Sequence, residues 1–184
     1  ATTSVAIFFQ GKILPQLLWQ NFQTRKFCHS FYFWQKQQKK QTAFFDLSDC
    51  SKRSSESINE ALVLLQRFTK HARVMLSLNK NEADIIYRAL YLKKSKNDLL
   101  TTGKEIIGRL SIDTLVLHSA KEAMAITKKE KVRVDSFFTA EPAISTGAGD
   151  NFNAGFCTGQ LLELDLESSV IMANAVSACY VRKG

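Results

Sequence analysis

Glycine is scarce in this chain, 8 of 184 residues, and proline scarcer, with 2. The four cysteines, Cys28, Cys50, Cys157 and Cys179, stand far apart and form no CxxC pair. That spacing suggests neither a zinc site nor a disulfide framework and points to a reducing compartment. No apolar run approaches the ~20 residues that a membrane span requires, so no membrane partner is expected. The opening ATTSVAIFFQGK lacks the basic start and small-residue cleavage site of a secretory signal. It also lacks an initiator Met, which points to a processed or partial chain. A cytoplasmic protein is the expectation.

Acidic residues are in deficit as well: 25 Lys and Arg against 17 Asp and Glu leave a net charge of +8. Nucleic acid, acidic lipid and phosphorylated small molecules are all compatible with that balance. The clearest basic stretch, QKQQKKQ from Gln35 to Gln41, carries no aromatic platform and no RNP-like motif. It reads as a solvated connector or exposed helix face, and nucleic acid is not an expected partner.

What is present suits one soluble domain over residues 1–184, with hydrophobic residues at 45% and charged residues at 23%. Val5–Phe9 reads as a short buried strand, and Pro15 as the first turn of a helix through Leu17, Leu18 and Phe22. From Ala43 onward the pattern alternates. Strands are expected at Ala43–Leu47, Val74–Leu78 and Thr114–Leu117. Between them a helix capped by a Ser57/Glu60 box buries Ile58, Ala61, Leu62, Leu65 and Phe68. Further helices run through Glu82, Ile85, Ile86 and Leu90, and over Gly103–Leu110. Ala123–Thr127 and Val132–Phe138 flank the charged turn Lys128–Lys131 as a hairpin. Helices to about Leu164 and over Glu167–Val181 complete the chain. Continuous apolar strands alternating with helices predict an α/β fold whose parallel sheet is covered on both faces.

Against this scarcity, three of the eight glycines fall within the thirteen residues ISTGAGDNFNAGF, Ile144 to Phe156. Gly147-Ala148-Gly149 at a helix start exposes backbone N–H groups that, with the helix dipole, make an anion site. Asp150, in the first turn, is stabilised in its ionised form by the same dipole. Amides facing a transferring phosphoryl group, beside a carboxylate that takes the proton of an attacking hydroxyl, suit phosphoryl transfer to an alcohol. The pattern is neither a P-loop, since no Lys-Ser or Lys-Thr follows, nor a dinucleotide fingerprint, since Phe152 stands where a third glycine would be. A glycine-rich helix cap with Asp150 merely capping is the structural alternative.

TGAGDNFNAGF resembles the C-terminal signature of the ribokinase-like (PfkB-type) carbohydrate kinases, roughly DTTGAGDxFxAGF. Two more segments match in order: Asn79-Lys80-Asn81-Glu82 resembles the NxxE motif, and Ala173-Asn174-Ala175 an AN pair near the nucleotide. The likeness is good over residues 43–184 and faint over 1–42. It implies a Rossmann-like, three-layer αβα ribokinase-like fold with a mostly parallel sheet, and ATP-dependent phosphorylation of a sugar or sugar-like hydroxyl. Asp150 would be the base, and the amides of Gly147, Ala148 and Gly149 the anion hole. Asn79 and Glu82 would help position Mg²⁺ through waters, and Asn174 would lie near the adenine. By their residues alone, Asn79 and Glu82 read first as a helix capping box, and Asn174 equally as an interhelical hydrogen-bonder.

Three departures accompany the likeness. Ile144 stands where the pattern has Asp, and an isoleucine cannot ligate the monovalent cation of many members. In His118-Ser119-Ala120-Lys121-Glu122, Ser119 and Glu122 replace the glycines of a GxxG element, which keeps the backbone farther from a nucleotide. His118 and Ser119 remain candidate nucleotide contacts. The family's N-terminal substrate half and β-sheet lid, which often forms a homodimer contact, have no counterpart here. A catalytically impaired remnant with a structural or regulatory role is therefore the alternative expectation.

Overall fold

Among the described residues, seven strands form one sheet in the order β2-β1-β3-β4-β5-β6-β7. They are β1 (Ile7–Phe9), β2 (Lys12–Leu14), β3 (Gln41–Asp46), β4 (Ala72–Asn79), β5 (Thr114–His118), β6 (Glu122–Thr127) and β7 (Lys131–Asp135). The helices are α1 (Ser55–Phe68), α2 (Lys80–Tyr91), α3 (Leu99–Leu110), α4 (Ala148–Leu161) and α5 (Leu166–Lys183). This computed structural model describes residues 7–9, 12–14, 41–47, 50–93 and 98–183. The expected helix behind Pro15 and the Gln/Lys stretch before Gln41 lie outside them.

Period-two alternation along the central strands builds a core on each face of the sheet. Phe45, Leu76, Leu78, Leu115, Leu117 and Ile126 point one way, onto the apolar faces of α1, α2 and α3. Phe44, Met75, Val116, Ala123 and Ala125 point the other way, onto Phe152 and Phe156 of α4 and Val170 and Ala173 of α5. The result is the expected three-layer αβα arrangement. Parallel pairing, however, is confined to β3–β4 and β4–β5, and the other four pairings are antiparallel. The sheet as a whole is mixed, because hairpins extend both sides of the three-stranded parallel centre. β7, the edge strand, exposes Lys131, Arg133 and Asp135, the charges that discourage edge-to-edge association.

Helix faces match the expected spacing, and the boundaries differ in two places. α1 buries all five expected residues, Ile58, Ala61, Leu62, Leu65 and Phe68. Its cap is Ser54 rather than Ser57: the Ser54 hydroxyl accepts the Ser57 amide at 3.3 Å, which puts Ser57 inside the first turn. A serine-rich run offers several capping hydroxyls, and the one preceding the first helical residue is used. The hairpin strand expected to reach Phe138 ends at Asp135. The Phe138 amide donates to the Ser136 carbonyl at 2.7 Å, a three-residue γ-turn that breaks the ladder and leaves Phe137 and Phe138 on a loop.

The start of α4 is tied to the sheet by a buried polar chain. Asp46 and Ser77 are register partners at the ends of β3 and β4. Asn153, only 3% exposed, bridges them: its Nδ2 donates to Asp46 Oδ2 at 2.8 Å, and the Ser77 hydroxyl donates to its Oδ1 at 2.7 Å. Fixing a residue of the first turns at two points sets the rotation of α4 about its axis. That rotation aims everything in its N-terminal turn.

Candidate functional site

The parallel strands β4 and β5 end side by side, with Asn79 paired to His118. Carboxyl ends of parallel strands are where open α/β sheets bind ligands. Asn79 also caps α2: its Oδ1 accepts the Glu82 amide at 3.0 Å, and Glu82 Oε2 accepts the Asn79 amide at 2.8 Å. Both halves of the capping box are therefore formed, with Glu82 buried behind Asn79.

Across from these ends begins α4. Gly147 caps it with φ at 88°, a left-handed conformation natural to glycine. The Ala148 amide is turned back onto the Ser145 carbonyl at 3.2 Å, and Asn151 donates to the Gly147 carbonyl at 3.0 Å. Between them stand the amides of Gly149 and Asp150, in the turn where a helix leaves its N–H groups without intrahelical partners. The last helix holds this loop in place. Ser177 Oγ donates to the Ala148 carbonyl at 2.9 Å, and the Tyr180 hydroxyl to the Thr146 carbonyl at 3.0 Å. The Val181 carbonyl, near the C-terminus of α5, accepts the amides of Ala143 at 2.7 Å and Ile144 at 3.3 Å.

His118 stacks on Phe152 with ring centroids 4.7 Å apart, and a Cβ built on Gly149 would lie 3.5 Å from its Cε1. Burial against these groups pushes its pKa down to about 4, so the imidazole is neutral near pH 7. In the unfolded chain the same group protonates near 6.5. Between those values the unfolded state binds more protons, and stability falls as pH drops from about 6.5 to about 4. His118→Gln should flatten that part of the stability curve, as read from urea midpoints at pH 7 and pH 5.

Ser119 makes a closed turn of its own. Its hydroxyl donates to the Glu122 carbonyl at 3.1 Å and accepts the amides of Lys121 at 3.3 Å and Glu122 at 3.2 Å. The Glu122 carboxylate is turned to β7, where it pairs with Arg133 Nη2 at 2.5 Å. Asn174 donates to the Asp135 carbonyl and accepts from the Ser136 hydroxyl, both at 3.4 Å. Its bonds thus join α5 to the end of β7 rather than to another helix.

These elements enclose a cavity of about 450 Å³, within the ordinary size range of small-molecule sites. Of the sequence-derived candidates, Asn79, His118, Ser119, Ala148, Gly149 and Asn174 line it, whereas Gly147, Glu82 and Asp150 do not. Glu82 sits behind the wall. Asp150 is exposed, about 100° around the helix from Gly149, so it faces a different side of the loop. Among the described residues no cluster of three or more His, Cys, Asp or Glu is placed to hold a metal ion, and no helix is long and apolar enough to cross a membrane.

A model of the prokaryotic ketohexokinase family matches residues 33–184. The chain belongs to that family. A ketohexokinase of Haloferax volcanii is 24% identical over 144 residues, which cover 78% of this chain and 38% of that relative. Among solved structures, a ribokinase from Thermotoga maritima superposes with a TM-score of 0.57 at 18% identity, over 76% of this chain and 42% of the other. A protein from E. coli in complex with ATP and Mg²⁺ gives 0.53 at 17%, over 70% and 38%. These establish the ribokinase-like fold. The chain spans well under half the length of each of these relatives.

Much of the cavity wall of this family member lies outside the motifs of its sequence. Phe137, Phe138, Pro142 and Val181 supply its apolar part, and Ser136 and Ser177 add hydroxyls. Phe137 and Phe138 are 46% and 60% exposed. Two adjacent aromatics beyond an edge strand were the available signal, obscured once they were counted as strand. Arg182, which donates to the Phe137 carbonyl at 3.0 Å, carried no local signal at all.

Proposed function

We propose that this chain forms the nucleotide and phosphoryl-transfer side of an ATP-dependent sugar kinase whose acceptor is a ketohexose hydroxyl. The observation that carries the reading is the meeting of the α4 start with the ends of β4 and β5 around one cavity. That cavity has an apolar part at Phe137, Phe138, Pro142 and Val181 and a polar part at Asn79 and Gly149. An adenine suits the first and a polyphosphate the second. The family match, and a fold shared with an ATP–Mg²⁺ complex, support the same choice of donor. The kinase relatives do not favour the impaired-remnant alternative.

In this reading Asp150, outside the cavity and at the rim of the same turn, takes the proton of the acceptor hydroxyl. The hydroxyl oxygen then attacks the γ-phosphorus, and ADP leaves with the bridging oxygen. The free amides of the α4 turn, with that of Gly149 on the cavity wall, stabilise the charge on the transferring group. Mg²⁺, a hard cation that retains several waters and binds phosphate oxygens, neutralises the polyphosphate when bound. Among the described residues no carboxylate lines the cavity, and Asn79 Oδ1 and Glu82 Oε2 are both engaged in the capping box. These residues fit water-mediated support of the ion better than a direct protein cage, with Glu82 acting through Asn79.

The test uses the full 184-residue chain. Saturating MgATP should raise its melting temperature, by mass action on the folded state, and label from γ-³²P ATP should appear in a hexose phosphate when fructose is added. Absence of any MgATP-dependent shift would overturn the nucleotide assignment. Label that appears in an aldohexose or a nucleoside in preference to fructose would overturn the acceptor assignment.

A further inference from the structure

We infer that Lys80 is the cationic contact for the donor's polyphosphate, a specificity-determining residue that makes this site prefer di- and triphosphates over the nucleoside. The inference rests on the reading of the cavity as the nucleotide site and adds to it the source of its positive charge. Among the described residues that line the cavity, Lys80 is the only charged side chain. His118, the other basic group there, is neutral near pH 7 because burial lowers its pKa. Ile144, at the position where a cation-supporting aspartate was expected, offers no ligand for a monovalent ion. A polyanion entering here therefore meets two helix starts, α2 and α4, and one ammonium group.

The placement of Lys80 is itself informative. It is the first residue of α2, where the helix dipole disfavours a cation and favours an anion. The same turn carries Glu82, whose carboxylate is engaged with the Asn79 amide. Among the described residues Lys80 forms no ion pair, and its side chain is exposed. A cation at an unfavourable helix position, unpaired and on a cavity wall, breaks a local rule with no structural gain. Such breaks are expected at functional sites. A phosphate chain lying between the α2 and α4 starts would supply the missing counter-charge, through a charge-assisted hydrogen bond.

Calorimetric titration of the full chain with MgATP, MgADP and adenosine tests this. Lys80→Gln should weaken MgATP binding roughly tenfold, weaken MgADP less, and leave adenosine unchanged. Lys80→Arg should retain most of the MgATP affinity, and the salt dependence of binding should shrink in Lys80→Gln alone. Lys129→Gln, in the exposed hairpin turn, serves as the control and should bind MgATP as the wild type does. The inference is overturned if Lys80→Gln binds MgATP like the wild type, if adenosine weakens equally, or if Lys129→Gln loses as much. Wild-type protein that binds no MgATP would overturn the nucleotide reading and this inference with it, a result distinct from all of these.

Discussion

Asp150→Asn is expected to lower phosphoryl transfer by about a thousandfold while MgATP binding is unchanged or slightly tighter. The two effects separate because of where the residue sits. Asp150 is in the first turn of α4, exposed, and absent from the cavity wall that would hold the nucleotide. Removing its charge takes away the proton acceptor for the attacking hydroxyl but no contact to the nucleotide. It also removes a negative charge near a polyanion, which is the reason any change in affinity should be towards tighter binding. Asparagine keeps the volume and a polar group at the helix start, so α4 should persist. Steady-state kcat and a calorimetric Kd for MgATP, measured on the same preparation, distinguish the outcomes. A fall in kcat below tenfold, or a loss of MgATP affinity in proportion to the loss of rate, would remove Asp150 from the role of base.

How far this site was legible in the sequence depends on the range of the interaction. Local signals were readable. The i, i+3, i+4 spacing of Ile58, Ala61, Leu62 and Leu65 located a helix face correctly, and the Asn79-x-x-Glu82 spacing named a capping box that is formed on both sides. The glycine cluster pointed to a helix start with exposed amides, and α4 begins there. What was not readable is how distant segments brace one another. The Ser177, Tyr180 and Val181 bonds that hold the 143–148 loop span some thirty residues or more, and side chains bonding to main-chain carbonyls leave no motif. Asn153 looked like a variable position inside the signature, yet it links α4 to Asp46, 107 residues away. Nothing local to His118 announces its neighbours, and only the fold brings it against Phe152 and Gly149. The single error of cap placement, Ser57 for Ser54, came from a run in which several hydroxyls satisfy the same rule.

The same bracing yields the largest stability prediction. Gly155→Ala should destabilise the protein by about 2 kcal/mol, although alanine is the better helix former by roughly 1 kcal/mol. A Cβ at Gly155 would lie 2.8 Å from Ala173 Cα and 3.0 Å from the Met172 carbonyl oxygen, both backbone atoms of α5 that no rotamer change can move. Gly159, one turn on, is equally close to Ser169, at 2.9 Å from its Cα. Glycines four apart thus form a seam along which α4 and α5 approach too closely for any side chain. Gly108 in α3 provides the contrast, because nothing lies within 4 Å of a Cβ built there. Gly108→Ala should stabilise by about 0.5–1 kcal/mol. Urea midpoints for the two variants should therefore move in opposite directions. Separation of α4 from α5 would also shift Ser177 and Tyr180 relative to the loop they hold, so Gly155→Ala should weaken MgATP binding and Gly108→Ala should not. Equal stabilisation by both substitutions would mean that the seam is looser than these distances state, and that α5 does not set the position of the glycine turn.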